Sequence, residues 1–275
     1  MDRVAEVRKF FARLITANCG IAAGSALEAA FAATPREQFV GPPPWKIFTP
    51  AGYIEANSSD TGLLYQDVVV SLGVVAPLNN GQPTLHAYCI NTLDLKPGQR
   101  VLHIGAGTGY YTTILAMLVG ESGSVMAYEI EPSLAARAGR NLAALPQVQL
   151  LARTGAEGPL PESDAIYVNA GTTEPLAAWL DALRPSGRLL FPLTPSAGMG
   201  GMLLVTKLDD GSYSARFLMQ VQFVPCVGAR NEATAERLTK AFRGRRWAEV
   251  KTLHRNDVRD ESCWCWGDRW WLSSH

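Results

Sequence analysis

The sequence has no surplus of either charge: 25 basic residues stand against 25 acidic ones, and neither sign gathers into a long run. A dedicated nucleic-acid binder carries a basic stripe, so nucleic acid is not an expected partner. No apolar stretch approaches the roughly 18–20 residues needed to cross a bilayer. The opening residues, Met1-Asp2-Arg3-Val4-Ala5-Glu6, lack the basic start and uninterrupted apolar block of a signal peptide. No membrane partner is expected, and the expected location is the cytoplasm. Cysteine is scarce and odd in number, at Cys19, Cys89, Cys226, Cys263 and Cys265. Three of the five stand alone in apolar context, which suits reduced thiols better than a disulfide framework. Internal repeats and low-complexity tracts are absent as well.

What is present is a chain of 275 residues, 47% of them apolar, able to bury one large core with or without an appendage. Apolar positions at helical spacing (Val4, Val7, Phe10, Phe11, Leu14, Ile15) predict a helix over 2–17, and 24–33 reads as a second. Gly41-Pro42-Pro43-Pro44-Trp45 is a stiff connector. A helix over 83–94 starts at Pro83, a residue suited to the first helical position. From residue 100 strands and helices alternate: strands at 100–104, 124–129, 148–152, 165–169 and 188–192, helices at 110–119, 133–145 and 176–183. That order predicts an α/β fold, a Rossmann-like, mostly parallel sheet with helices on both faces. Runs at 201–207 and 213–222 have no helix between them and predict an antiparallel edge. A helix over 231–243 opens a tail with five of the seven tryptophans: Trp247, Trp264, Trp266, Trp270 and Trp271. The expected organisation is a main domain over 1–229, with a helical part over 1–95 and a cofactor-binding sheet over 96–229. A small tryptophan-rich extension over 230–275 should pack on it.

The strongest local signal is Val101-Leu102-His103-Ile104-Gly105-Ala106-Gly107-Thr108-Gly109-Tyr110. A strand feeding a Gly-x-Gly-x-Gly turn and then a helix lets backbone approach a ligand, because glycine has no Cβ to collide with it. Glu129 ends the next strand, where an acid accepts the hydroxyl protons of an adenosine ribose. The short Gly105-x-Gly107-x-Gly109 spacing differs from the dinucleotide form Gly-x-Gly-x-x-Gly and resembles the version whose cofactor has no pyrophosphate to seat.

Beyond the loop, Thr34-Pro35-Arg36-Glu37-Gln38-Phe39-Val40, Tyr65-Gln66-Asp67, Gly81-Gln82-Pro83-Thr84-Leu85-His86-Ala87-Tyr88, Pro185-Ser186-Gly187-Arg188-Leu189-Leu190-Phe191-Pro192 and Phe223-Val224-Pro225 follow in that order. Together, over residues 5–228, they resemble the protein-L-isoaspartate O-methyltransferase family. The resemblance implies methyl transfer from S-adenosyl-L-methionine to the side-chain carboxylate of isoaspartyl residues in damaged protein. It implies that residues 78–81, with Asn79 and Asn80, and His86 border the cofactor. His103, Gly105, Ala106, Gly107, Thr108 and Gly109 would attend its methionine part and loop, Glu129 its ribose, and Thr154 and Gly155 its adenine. Three positions depart from the family. Its catalytic serine falls on Gly81, its first-strand acid on His103, and the aspartate of its "GDG" on Thr154. Thr84 is the hydroxyl nearest Gly81 in sequence and a candidate to replace the serine; without that serine weak or absent activity on isoaspartyl peptides is expected, with Gly81→Ser raising it where the rest of the pocket is retained.

A carboxylate acceptor is ionised at pH 7 and needs no general base, so catalysis can rest on alignment. A protein, a peptide or a small-molecule carboxylate would serve. The residues leave two other uses open: methylation of another small-molecule or peptide acceptor, and a non-catalytic cofactor-binding interaction protein. No metal is expected. Cys263 and Cys265 alternate with Trp264 and Trp266 as in a strand, and lack the paired spacing of a structural zinc site.

Overall fold

The computed structural model describes residues 2–73 and 78–275. Asp2 accepts the Val4 amide and opens α1 (Arg3–Asn18); Ser25 accepts that of Glu28 and opens α2 (Ala26–Ala33). One turn, α3 (Glu37–Val40), leads into a hairpin of β1 (Trp45–Thr49) and β2 (Gly52–Ala56). Then come α4 (Pro83–Leu93), β3 (Arg100–Ile104), α5 (Tyr110–Val119), β4 (Ser124–Tyr128), α6 (Pro132–Leu142) and β5 (Val148–Leu151). The remainder is β6 (Ser163–Val168), α7 (Ala177–Ala182), β7 (Leu183–Leu193), β8 (Gly200–Lys207), β9 (Tyr213–Val221), α8 (Glu232–Arg243), β10 (Thr252–His254), β11 (Cys263–Trp266) and β12 (Trp271–Ser273).

Two compact units share the chain: Ala106–Arg153 joins everything up to Gln99 in the first, and Arg100–Gly105 joins Thr154–His275 in the second. In the first unit, β4 and β5 pair in parallel, Val125 opposite Val148 through Tyr128 opposite Leu151. Its helical part buries Phe11, Ile15, Phe31, Leu64 and Ile90 to 1% exposure or less. A charge lies in that interior. Arg36 is fully buried, and a buried guanidinium needs its donors satisfied. Nη1 donates to the carbonyls of Leu64 (2.5 Å) and Gln66 (3.0 Å), and Nη2 to that of Val68 (2.5 Å). The Tyr65 hydroxyl accepts the Arg36 amide and donates to the Glu37 carboxylate. Two residues on, Asp67 accepts the Thr84 amide and the Gln82 side chain, each at 2.8 Å. It thereby caps α4, whose own N-cap residue, Gln82, makes no side-chain capping bond.

The second unit is a mixed sheet in the order β11-β12-β10-β9-β8-β7-β6-β3. β3, β6 and β7 are parallel; the strands from β7 outward are antiparallel. The central strands bury Ile166–Val168, Leu189–Phe191 and Met202–Leu203 completely, as strands covered on both faces require. Three elements depart from expectation. The hairpin of β1 and β2 follows what reads as a mere connector. β7 starts five residues before the predicted 188, running through Ser186 at φ 62°. Opposite it the register shifts between Ser163 and Ala165, a bulge that absorbs the Pro-Ser-Gly stretch. Finally, β9 is no edge: Leu253 of β10 pairs with Tyr213, and β12 and β11 follow.

The tail is joined to this sheet by rings as well as strands. Phe217 of β9 meets Phe242 of α8 at 5.5 Å and Trp264 of β11 at 5.2 Å, edge to face. Trp270 and Trp271 are buried, whereas Trp266 is 39% exposed, between the guanidinium groups of Arg237 and Arg259. Among the described residues no group of His, Cys, Asp or Glu could hold a metal, no disulfide joins the five cysteines, and no helix is long and apolar enough to cross a membrane.

Ending the chain at Arg230 removes α8 and β10–β12 and bares Phe217 with the outer edge of β9. Calorimetry should show aggregation or a clearly lower melting temperature, whereas an unaltered curve would make the tail independent. In the intact chain Phe217→Ala should cost about 3 kcal/mol.

Candidate functional site

Glu129 follows β4 directly and is buried, 7% exposed. Its Oε2 accepts the Gly107 amide at 2.6 Å and its Oε1 that of Glu131 at 2.9 Å. Burial pushes its carboxyl pKa up, opposed by amides of Glu131, Gly107 and Ile130. A carboxylate offers about four acceptor sites, and the amides of Gly107, Glu131 and Ile130 use at most three, which leaves capacity for a ribose hydroxyl. The loop itself is held at neighbouring points. The Ala106 amide donates to the Tyr128 carbonyl (3.0 Å), and the Thr108 carbonyl accepts Asn141 Nδ2 (2.8 Å). Gly109 at φ 93° caps α5, and a Cβ there would lie 3.0 Å from Leu142. Glycine is required for both reasons. The sequence-predicted acid and loop thus meet in the first unit, and their donors and acceptors fit an adenosine-bearing group.

The same unit brings together Asn79, Gly81 and His86. Asn79 Oδ1 accepts the Gly81 amide at 2.9 Å. Asn80 is fixed to Val70, its Oδ1 accepting the Val70 amide and its backbone amide donating to the Val70 carbonyl. Gly81 sits at φ 71°, and a Cβ built on it would be 2.1 Å from His86 Nε2. The imidazole of His86, 2% exposed, stacks on Tyr111 at 3.8 Å, in the first turn after the glycine loop. Histidine ring and position-81 side chain compete for one volume. The expected rescue by Gly81→Ser thus meets two obstacles, the positive φ of the backbone and the ring of His86. The Thr84 amide donates to Asp67 and its carbonyl accepts from the Cys19 thiol, while its buried hydroxyl has no hydrogen-bond partner among the described residues.

In the second unit His103 is fully buried on β3, 2.7 Å from Asn169 Nδ2 and stacked over Tyr167. Burial pushes its pKa down to about 3, so the ring is neutral near pH 7 and carries no counter-charge for an ammonium. Gly105 at φ 79° lets Asn169 close in: a Cβ would meet its backbone at 3.4 Å. Thr154 donates to the Val227 carbonyl (3.3 Å) and accepts the Ala156 amide (3.1 Å). The Gly155 carbonyl accepts Trp179 Nε1 at 2.8 Å.

Sequence reasoning missed Tyr111, Asn141 and Asn169. A signal existed for Asn169, a polar residue at the carboxyl end of a strand, where α/β sheets place ligand contacts. Tyr111 and Asn141 had none, since each is defined by a neighbour far away in the chain.

A family model described as Protein-L-isoaspartate(D-aspartate) O-methyltransferase matches residues 11–231. Protein-L-isoaspartate O-methyltransferase 2 of Marinobacter nauticus is 34% identical over 230 residues, covering 82% of this chain and 94% of the relative. A solved protein-L-isoaspartate O-methyltransferase aligns with a TM-score of 0.69 at 22% identity, over 86% of this chain and 69% of its own. A structure from Plasmodium falciparum, assigned to the beta-aspartate methyltransferases and holding S-adenosyl-L-homocysteine, has a TM-score of 0.64 at 18% identity, over 80% and 98%. At those identities the two structures speak for the fold.

Position 81 and His103 each give a measurable expectation. Gly81→Ser and Gly81→Ala should both lose about 1–2 kcal/mol from the left-handed backbone alone; urea unfolding at wild-type midpoints would show the backbone free to relax. The unfolded His103 takes a proton at its ordinary 6.5, the folded one only near 3. Between those values the unfolded chain binds the extra proton, so stability falls as pH drops, by at most about 1.4 kcal/mol per unit. Denaturation midpoints should therefore shift less between pH 7 and pH 5 in His103→Gln than in the wild type. Equal shifts would assign the acid sensitivity to other groups.

Proposed function

The chain belongs to the protein-L-isoaspartate O-methyltransferase family, and from that membership we propose that it methylates the side-chain carboxylate of isoaspartyl residues in proteins. The observation that carries the reading at the level of residues is the bond from the Gly107 amide to Glu129, which sets an acid against a glycine loop at the end of a parallel strand. S-adenosyl-L-methionine, when bound, supplies a methyl group already activated by a sulfonium leaving group. The backbone of Ala106–Gly109 would let that donor approach closely, and the acceptor capacity left on Glu129 would hold its ribose.

The acceptor carboxylate is ionised at neutral pH, so no side chain has to remove a proton. What remains for the protein is alignment of acceptor oxygen, methyl carbon and sulfur, and exclusion of water. Position 81 bears on the first of these. With glycine there, the hydroxyl of the family's serine is absent, and a single lost transition-state hydrogen bond costs about two to three decades in rate. The same glycine favours a second reading, in which the acceptor is another peptide or a small carboxylate.

Transfer of labelled methyl to an isoaspartyl peptide, compared with its aspartyl isomer and with free dicarboxylic acids, decides between the two. Methyl ester on the isoaspartyl peptide alone is the expected result. Transfer only to the free acids would favour the second reading, and no transfer while S-adenosylhomocysteine binds would sink both. In calorimetry Glu129→Ala should weaken cofactor binding by about 1.5–3 kcal/mol. Glu129→Gln, which retains an acceptor for the Gly107 amide, should lose less. Unchanged affinity in the alanine variant would place the cofactor elsewhere.

A further inference from the structure

A cavity of about 940 Å³ opens in the first unit between α6, β1 and the backbone of Ser71–Gly73. Its walls are Trp45, Tyr53, Pro42 and Pro44, and its charged lining consists of Lys46, Arg137 and Arg140, with no acidic residue among the residues that line it. In a chain whose charges balance overall, three cations without an anion form a marked local asymmetry. Helical spacing explains the placement: Arg137, Arg140 and Asn141 are three and four positions apart on α6 and share one face. Arg137 is fixed, donating to the carbonyls of Leu72 (2.9 Å) and Phe39 (3.1 Å). Burial first, and the neighbouring Arg140 charge second, hold its pKa below the usual range. Lys46 and Arg140 are exposed, and among the described residues neither ends in an ion pair.

Two residues that line the cavity, Leu72 and Asn141, also contact the glycine loop. Asn141, on its wall, holds the Thr108 carbonyl at 2.8 Å, and Leu72 lies 3.8 Å from where a Cβ on Gly107 would be. A segment seated here is therefore next to the loop and not on a remote face.

We propose that this cavity is the docking cleft for an acidic polypeptide segment, the stretch of substrate chain that flanks the methyl acceptor. It rests on the functional reading above only for the identity of that chain. The charge asymmetry selects side-chain carboxylates. The proline, tyrosine and tryptophan walls select a peptide over a nucleic acid, whose backbone asks for a longer basic track.

Fluorescence anisotropy on the full chain tests the cleft without any methyl transfer. The probes are two labelled heptapeptides with no isoaspartyl residue, identical except that two positions are Glu in one and Gln in the other. The acidic peptide should bind about fivefold tighter at low salt, and the gap should close as ionic strength rises. Lys46→Gln with Arg140→Gln should abolish the preference, and the charge-retaining pair Lys46→Arg with Arg140→Lys should keep it. Equal affinities in the wild type, or a preference that survives the charge-removing pair, would overturn the proposal. So would a single-stranded oligonucleotide of equal charge binding tighter than the acidic peptide through the same two residues. An intact acidic preference in a protein that methylates no isoaspartyl peptide would sink the functional reading and leave the cleft standing. Methylation of acidic and neutral isoaspartyl peptides with the same KM would overturn the cleft and leave the function.

Discussion

The buried guanidinium of Arg36 is the constraint on which the architecture of the first unit depends. A cation in a protein interior is costly unless its donors find partners, and here both terminal nitrogens find them in the carbonyls of Leu64, Gln66 and Val68, alternate residues of one turn, while Nε has none among the described residues. That stretch carries Tyr65, which ties back to Arg36 and Glu37, and Asp67, which caps α4. Directly beyond it, Val70 is clasped by Asn80. The position of Asn79–Gly81 and the start of the helix bearing His86 thus follow from how one charge is neutralised. Two segments that resemble family motifs, at 34–40 and 65–67, are explained by this as scaffold and not as chemistry.

Electrostatically the molecule treats its charges unevenly. Glu129 is buried with each oxygen held by a backbone amide and acceptor capacity to spare, His103 is buried without charge, and the cations of α6 and β1 are left facing a cavity. A reaction between an ionised carboxylate and a cationic methyl donor suits such an arrangement. It calls for no proton removal, and geometry matters more than a reactive side chain.

Position 81 shows how a substitution at one residue is also a statement about another. The histidine ring occupies the volume that a side chain at 81 would claim, and the φ of 71° removes the incentive for any residue but glycine. Ring, glycine and the tyrosine stacked behind the ring form one unit of packing. Reading the glycine as a serine with its side chain removed overlooks that packing.

Much of the fold was legible in the residues themselves. β3 and α5 lie where apolar spacing and the glycine turn put them, because strand period, turn chemistry and helix period agree over Arg100–Val119. Glu129 and the loop were legible for the same reason: a local pattern of residue types at fixed separation in chain order. The hairpin at Trp45–Ala56, the continuation of the sheet past β9, and the bulge in β7 were not, since strand partners and register are chosen by distant segments. Neither were Tyr111 beneath His86, Asn169 against His103, nor the cavity that gathers Lys46 with Arg137 and Arg140. Sequence alone determined the elements, the loop and the acid, because these rest on interactions within a few tens of residues. Only the tertiary structure decided which side chains exclude one another and which charges face a common space, because those depend on approach between residues far apart in the chain.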